Sequence, residues 1–209
     1  MITRRDLLKG LGAAGAAAVA PSPLAGVAAA AAQAPLRREG FDTLTAAEAD
    51  VLEAITARLI PTDGSGPGAR EAQAARYIDR ALAGAHAASR PAYAAGLAAT
   101  DTYAQQSKGS AFATLAPADQ DAVLAAIESN AATGFTPSGS AFFALLRAHT
   151  IEGTFSDPDY GGNANFAGWD LIGYPGVRVA VSPAEQQLNV AIAPNHKSAY
   201  DFGMFRRSR

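Results

Sequence analysis

The chain contains no cysteine among its 209 residues. This absence excludes disulfides, thiolate metal sites, covalently attached c-type haem and a cysteine nucleophile. It also excludes a lipoprotein anchor, because such an anchor requires a cysteine at the cleavage site. A protein without thiols is suited to an oxidising compartment such as the periplasm.

Charged residues are also scarce, at 17%, and the formal net charge is only −2. Nucleic-acid-binding domains normally carry a basic patch or stripe, so nucleic acid is excluded as a partner. Hydrophobic residues make up 49% of the chain, which is enough for a packed core and argues against general disorder.

Motifs for cofactor binding or nucleophilic catalysis are missing as well. No G-x-G-x-x-G sequence follows a strand pattern, no P-loop is present, and no G-x-S-x-G elbow occurs. We therefore predict that this chain binds no cofactor and carries no catalytic residues of its own.

The N-terminus has the pattern of an export signal. Arg4 and Arg5 are followed by Leu-Leu-Lys and then by an uncharged, mostly alanine and glycine stretch over residues 10–36. Adjacent arginines in this context are typical of a twin-arginine signal. Because the stretch is only weakly apolar, a signal peptide over residues 1–33 is favoured over an uncleaved membrane anchor. Residues 34–209 are then predicted to form one domain.

The rest of the chain has helical periodicity and no sustained period-two alternation, which predicts an all-α, small helical bundle. A capping box at Thr45 and Glu48 begins the first helix, and Pro61 ends it. Further helices are predicted from Pro67 or Ala69, from Pro91 to about Gln106, from Pro117, from about Ser140 to Thr150, and over residues 182–190. The residues expected to face the core include Val51, Leu52, Ile55, Leu59, Ala75, Ile78, Leu82, Tyr93, Leu97, Gln120, Val123, Leu124, Ile127, Ala131, Phe142, Leu145 and Leu146.

Residues 150–176 form a block rich in glycine, aspartate, asparagine and aromatic residues, without a helical period. A loop this long in a compact domain is usually functional, and its aromatic content argues against disorder. Tryptophan and tyrosine dominate binding hot spots, so the block is predicted to contact another subunit, with a lid over the helical core as the alternative. The predicted partner-binding residues are Tyr160, Asn163, Phe166, Trp169 and Tyr174. The tail over residues 193–209 is predicted to be a docking arm.

A metal site is the main competing hypothesis. His149 and Glu152 are spaced so that both face one site, with Asp157 and Asp159 following closely. Such nitrogen and oxygen ligands suit zinc or non-haem iron, and the chain would then be a stand-alone periplasmic metal-dependent enzyme. We favour the simpler interpretation, in which His149 hydrogen-bonds within the bundle and the two aspartates cap turns around Pro158.

Several runs of residues together resemble one protein family. The most specific are Asp-Pro-Asp-Tyr-Gly-Gly-Asn at 157–163 and Gly-Trp-Asp-Leu-Ile-Gly-Tyr-Pro-Gly at 168–176. They are joined by His-Thr-Ile-Glu-Gly at 149–153 and by the early helical segments over residues 44–82. From about Leu44 to Gly176 the chain resembles the gluconate 2-dehydrogenase subunit 3 family.

This resemblance implies the small, non-catalytic subunit of a heteromeric dehydrogenase of sugars, sugar acids or alcohols. In such complexes the large subunit resembles glucose-methanol-choline oxidoreductases and holds FAD, and a multihaem cytochrome c often takes the electrons toward quinone. The small subunit carries the signal read by the twin-arginine translocase and helps the flavoprotein mature and travel. The complex is expected in the periplasm, associated with the membrane. A chaperone that releases its client after export is an alternative.

Overall fold

A computed structural model describes residues 40–205; the signal predicted over residues 1–33 and the last four residues of the tail lie outside that range. The described residues form six α-helices joined by turns and short 3-10 segments, and they contain no β-strand. The prediction of an all-α bundle is therefore confirmed. The helices are α1 (Ala46–Leu59), α2 (Ala74–Leu82), α3 (Arg90–Lys108), α4 (Pro117–Glu128), α5 (Gly139–Phe155) and α6 (Ala167–Leu171).

The ends of several helices follow directly from the sequence. The capping box of α1 forms as predicted, with the Glu48 carboxylate accepting from the Thr45 N–H at 2.8 Å and the Thr45 hydroxyl accepting from the Glu48 N–H at 3.2 Å. Pro91 and Pro117 lie in the first turns of α3 and α4. Gly109 ends α3 in the left-handed conformation.

Helices α1 to α5 together enclose one hydrophobic core. It is formed mostly by the apolar faces that the periodicity predicts, supplemented by residues from the connecting segments; Ala131, which was expected in the core, is exposed and lies beyond the end of α4. Its largest fully buried side chains include Leu44, Leu52, Ile55, Ile78, Tyr93, Leu97, Phe112, Val123, Ile127 and Leu146. Within residues 40–205, no helix is both long enough and apolar enough to span a bilayer.

Two helices differ in length from the prediction. α2 begins at Ala74 rather than near Pro67 or Ala69, because Gln73 adopts a left-handed conformation with φ of 56° and interrupts the helix there. α5 continues past Thr150 to Phe155. Its last turn shows no apolar period because Gly153 faces the backbone of α2, where an added Cβ would lie 2.9 Å from the carbonyl oxygen of Ala74.

The helix predicted over residues 182–190 does not form, and these residues make turns. The contacts of its capping box are nevertheless present, since the Glu185 carboxylate accepts from the Ser182 N–H at 2.8 Å. Leu188, the leucine of this segment, is 92% exposed. Without a surface on which to bury an apolar face, a segment this short does not gain enough to remain helical.

The chain entering α1 is held by a buried carboxylate on α2. Asp79 is fully buried, and it accepts hydrogen bonds from the backbone N–H groups of Asp42, Thr43 and Leu44 at 2.7, 2.9 and 2.7 Å. A buried charge is tolerated when hydrogen bonds of this kind replace its hydration. The carboxylate therefore joins two segments that are distant in sequence.

Replacing this carboxylate should destabilise the fold. Asp79→Ala is expected to lower the free energy of unfolding by about 3 kcal/mol, because three N–H groups lose a charged acceptor. Urea denaturation measures the difference. Glu128→Ala, at the exposed end of α4, is the matched control and should change stability by no more than about 0.5 kcal/mol. Equal stability of the two variants would contradict this role of Asp79.

Candidate functional site

The glycine- and aromatic-rich block is organised by one fully buried asparagine. Oδ1 of Asn163 accepts from the backbone N–H groups of Gly168 and Trp169 at 2.8 and 3.3 Å, and Nδ2 donates to the carbonyl of Ser156 at 2.8 Å. Its own N–H donates to the carbonyl of Gly153 at 2.8 Å. With φ of 44° Asn163 is left-handed, a conformation that asparagine tolerates better than most residues.

The block lies directly on the last turns of α5. A side chain at position 162 would collide with the carbonyl oxygen of Gly153, and one at position 168 with the carbonyl oxygen of Thr154. Only glycine allows the two backbones to approach this closely. The block is thus a folded layer, with 3-10 turns at Pro158–Tyr160 and Ala164–Phe166 followed by α6, and the expectation of a segment without helix is wrong.

Trp169 anchors this layer from within. Its side chain is almost completely buried, and Nε1 donates to the carbonyl of Phe155 at 2.8 Å. The rings of Tyr174 and Phe166 pack against the indole, with centroids 4.7 and 5.4 Å away. Such aromatic contacts add to the stability gained from burial.

The five residues predicted to bind a partner therefore occupy different environments. Asn163 and Trp169 are buried by the chain itself and act as the lid interpretation expects. Phe166 is half-buried, whereas Tyr160 and Tyr174 are 48% and 39% exposed. The prediction of partner binding at this block now depends on Tyr160, Phe166 and Tyr174.

The tail packs against the same block. The Asp157 carboxylate accepts from the Ser198 hydroxyl at 2.6 Å and from the Ala199 N–H at 2.8 Å. His196 lies 2.7 Å from the Asp170 carboxylate and stacks on the ring of Phe166. The predicted docking arm therefore binds its own chain along residues 196–200. These contacts join residues that are distant in sequence, and no local sequence pattern predicts them.

A second feature of α5 is a cluster of two histidines and a glutamate. His86 Nε2 lies 2.8 Å from Glu152 Oε2, and the rings of His86 and His149 are stacked with centroids 4.1 Å apart. His149 Nδ1 shares a hydrogen bond of 3.0 Å with the Tyr93 hydroxyl, and the Tyr77 hydroxyl donates to Glu152 at 3.2 Å. One potential ligand atom from each of His86, His149 and Glu152 lies within 4.8 Å of the other two.

The surroundings of this cluster shift the pKa values of its members and neighbours. Burial, and secondarily the neighbouring His86, lower the pKa of His149, although Glu152 opposes this effect. Burial together with the charge of Glu152 raises the pKa of Tyr77 to about 12 and that of Tyr93 further still. These shifts favour the neutral form of His149 and the protonated forms of the two tyrosines.

The cluster differs from the metal site that the sequence predicts. His149 and Glu152 come together as expected, but Asp157 binds the tail and Asp159 is exposed. Among the described residues, the group with ligand geometry contains His86 in place of the two aspartates. His149 does bond within the bundle, to Tyr93, and Asp157 does cap the turn at Asp159, as the simpler interpretation expects of these two residues. His86 lies on a turn and carries no sequence signal that would have identified it.

Comparison with known families matches residues 46–176 to the family described as gluconate 2-dehydrogenase subunit 3. The chain belongs to this family. The matched segment contains all six helices, the histidine cluster and the aromatic block, whereas the tail after residue 176 lies beyond it. Residues 1–21 match the family described as the twin-arginine translocation pathway signal sequence. No curated protein and no solved structure matches the chain.

The family and the signal together define the broad role. The signal supports export to the periplasm by the twin-arginine route. The family is described as a subunit of a dehydrogenase. The chain is accordingly an exported accessory subunit.

Removing the side chain of Asn163 should loosen the block. Asn163→Ala is expected to lower the free energy of unfolding by about 2 kcal/mol, because the buried N–H groups of Gly168 and Trp169 lose their acceptor. Trp169 is the only tryptophan, so a red shift of its emission reports the change directly. Asn165→Gly is the control, at an exposed asparagine that also has positive φ. Unchanged emission and urea midpoint for Asn163→Ala would refute this organising role.

Proposed function

We propose that this chain is the non-catalytic small subunit of a periplasmic, FAD-dependent dehydrogenase complex resembling gluconate 2-dehydrogenase. In this proposal it is needed for the maturation and twin-arginine export of the flavoprotein catalytic subunit. The observation that carries the proposal is the presence, on one chain, of the family segment over residues 46–176 and the signal over residues 1–21.

The twin-arginine route accounts for this combination. It carries proteins that have already folded, and a flavoprotein must fold around its FAD in the cytoplasm before it is exported. A large subunit without its own signal then depends on a bound partner that has one. By the resemblance to this family, the large subunit is of the glucose-methanol-choline type, a multihaem cytochrome c is expected to take the electrons toward quinone, and the complex as a whole is associated with the membrane.

A pre-formed apolar loop supplies a surface for such a partner. Residues 177–197 form a loop whose two ends are held together at its base. There the Val177 N–H donates to the carbonyl of Lys197, and the Asn195 N–H donates to the carbonyl of Pro175, both at 3.0 Å. We call these two hydrogen bonds the neck contacts. Arg178 braces the loop by donating to Glu185 at 2.9 Å and to the carbonyl of Ala193 at 2.7 Å. The large apolar side chains that the loop exposes are Val179, Val181, Leu188 and Val190.

An exposed apolar loop of this kind is expected at an interface. Ordering a flexible segment costs free energy on binding, and the neck contacts meet part of that cost in advance. Exposed apolar side chains gain free energy when a partner removes them from water. The loop and the exposed ring of Tyr174 are therefore assigned to the surface that contacts the flavoprotein.

The export role is tested by changing the two arginines. The tagged wild-type chain should purify from the periplasmic and membrane fractions with a large oxidoreductase and a flavin absorption band. In the Arg4→Lys, Arg5→Lys variant both proteins should remain in the cytoplasm, still bound to each other, because only the export signal has changed.

Two outcomes would overturn this proposal. Arrival of the flavoprotein in the periplasm with the double-lysine variant would show that it does not depend on this chain for export. A lone, colourless wild-type chain in the periplasm would instead indicate a chaperone that releases its client.

The contact surface is tested at the most exposed apolar residue of the loop. Leu188→Ser is expected to weaken retention of the flavoprotein about tenfold or more, because burial of a leucine contributes roughly 1.5–3 kcal/mol. The melting temperature of the chain should not change, since Leu188 is 92% exposed. Gln187→Ser, at the exposed neighbouring position, is the control. Full retention by Leu188→Ser would remove the loop from the interface.

A further inference from the structure

The cluster of His86, His149 and Glu152 combines three metal-ligating side chains at one point of the bundle. His86 lies on the turn between α2 and α3, and the other two residues lie on α5. Their potential ligand atoms lie within 4.8 Å of one another. We propose that this cluster binds one divalent transition-metal ion of the zinc type, independently of the partner subunit.

His149 is already held as a metal ligand should be. In the tautomer that suits a metal ligand, the Nδ1–H of His149 donates to the Tyr93 hydroxyl at 3.0 Å, which leaves Nε2 as the coordinating atom. Tyr93 is completely buried in the core, so the direction of the imidazole is fixed by a residue that cannot easily move. A hydrogen bond to the second ring nitrogen is the usual way in which proteins orient a metal-binding histidine.

His86 and Glu152 form the side of the cluster that faces solvent. Their side chains are 27% and 43% exposed, which provides a route for an ion to enter. The hydroxyl of Tyr77 donates to the Glu152 carboxylate at 3.2 Å, so this ligand also has an orienting partner. Two imidazole nitrogens and a carboxylate oxygen are a donor set suited to zinc, and a fourth position remains for water.

Ion binding requires a small and specific rearrangement. Ligand atoms around a tetrahedral zinc ion lie about 3.3 Å apart, given metal–ligand bonds of about 2.0–2.1 Å. The contact of 2.8 Å between His86 and Glu152 must therefore open slightly. The His86 ring, parallel to that of His149 within 10°, must also rotate out of the stack so that its nitrogen points at the ion. Its position on a partly exposed turn permits this rotation, whereas His149 stays in place.

The bound ion would connect the turn after α2 to α5. Because the ion binds the folded chain and finds no such arrangement of ligands in the unfolded chain, it should raise the melting temperature in proportion to the logarithm of its concentration. This effect involves neither flavin nor dehydrogenase activity, so the site and the proposed function can fail separately.

The test uses the full chain, purified with a tag that contains no histidine and treated with a chelator. Calorimetric titration with Zn²⁺ should give one ion per chain with a dissociation constant of micromolar or tighter. Co²⁺ should produce the visible absorption bands of a tetrahedral site, and Zn²⁺ should raise the melting temperature. Absence of stoichiometric binding overturns the proposal.

Variants locate the ion. His86→Ala and Glu152→Gln, at two partly exposed positions, should each weaken binding at least tenfold. Tyr93→Phe keeps the buried ring but removes the orienting hydroxyl, and it should weaken binding about tenfold. His196→Ala is the matched control, because this histidine pairs with Asp170 outside the cluster. Binding that survives in His86→Ala and Glu152→Gln, or that is lost in His196→Ala, would place the ion elsewhere and overturn the assignment.

Discussion

The direct backbone contact between the last turns of α5 and the block that follows is the constraint on which the rest of the structure depends. The contact exists because positions 162 and 168 have no side chain to hold the two segments apart. Asn163 then satisfies the polar groups that this close approach buries, with hydrogen bonds to both segments. An aromatic-rich stretch that would otherwise be a loose loop becomes a packed layer with Trp169 at its centre.

The same end of α5 brings the histidine cluster together. Gly153 allows this helix to approach the start of α2 closely, and His86 lies on the turn beyond the end of α2. His149 and Glu152 share one face of α5 and meet His86 there. The cluster is therefore a product of helix packing, and the buried hydroxyl of Tyr93 on α3 fixes the direction of its central imidazole. Three helices must be in place before the site exists.

The buried and the exposed residues after α5 have two different roles. Trp169 and Asn163 stabilise the layer from inside, where their side chains are buried by the chain itself. The loop after α6 exposes aliphatic side chains on a backbone that its own neck contacts hold in shape. This loop follows the segment that matches the family, so the surface that we assign to the partner begins at Tyr174, near the end of that segment, and continues beyond it.

The sequence by itself determined the all-α class, the start of α1, the apolar faces of the core and the export signal, because these depend on periodicity, capping residues and motifs that are local in the chain. Only the tertiary structure decided that α5 continues to Phe155, that residues 182–190 remain turns, and that His86 rather than Asp157 joins His149 and Glu152. The physical reason is common to all three. The three outcomes depend on a glycine that permits close contact, a capping box without a surface to cover, and a histidine on a turn. The structural effect of each one depends on the residues that pack against it. Local spacing does not contain that information.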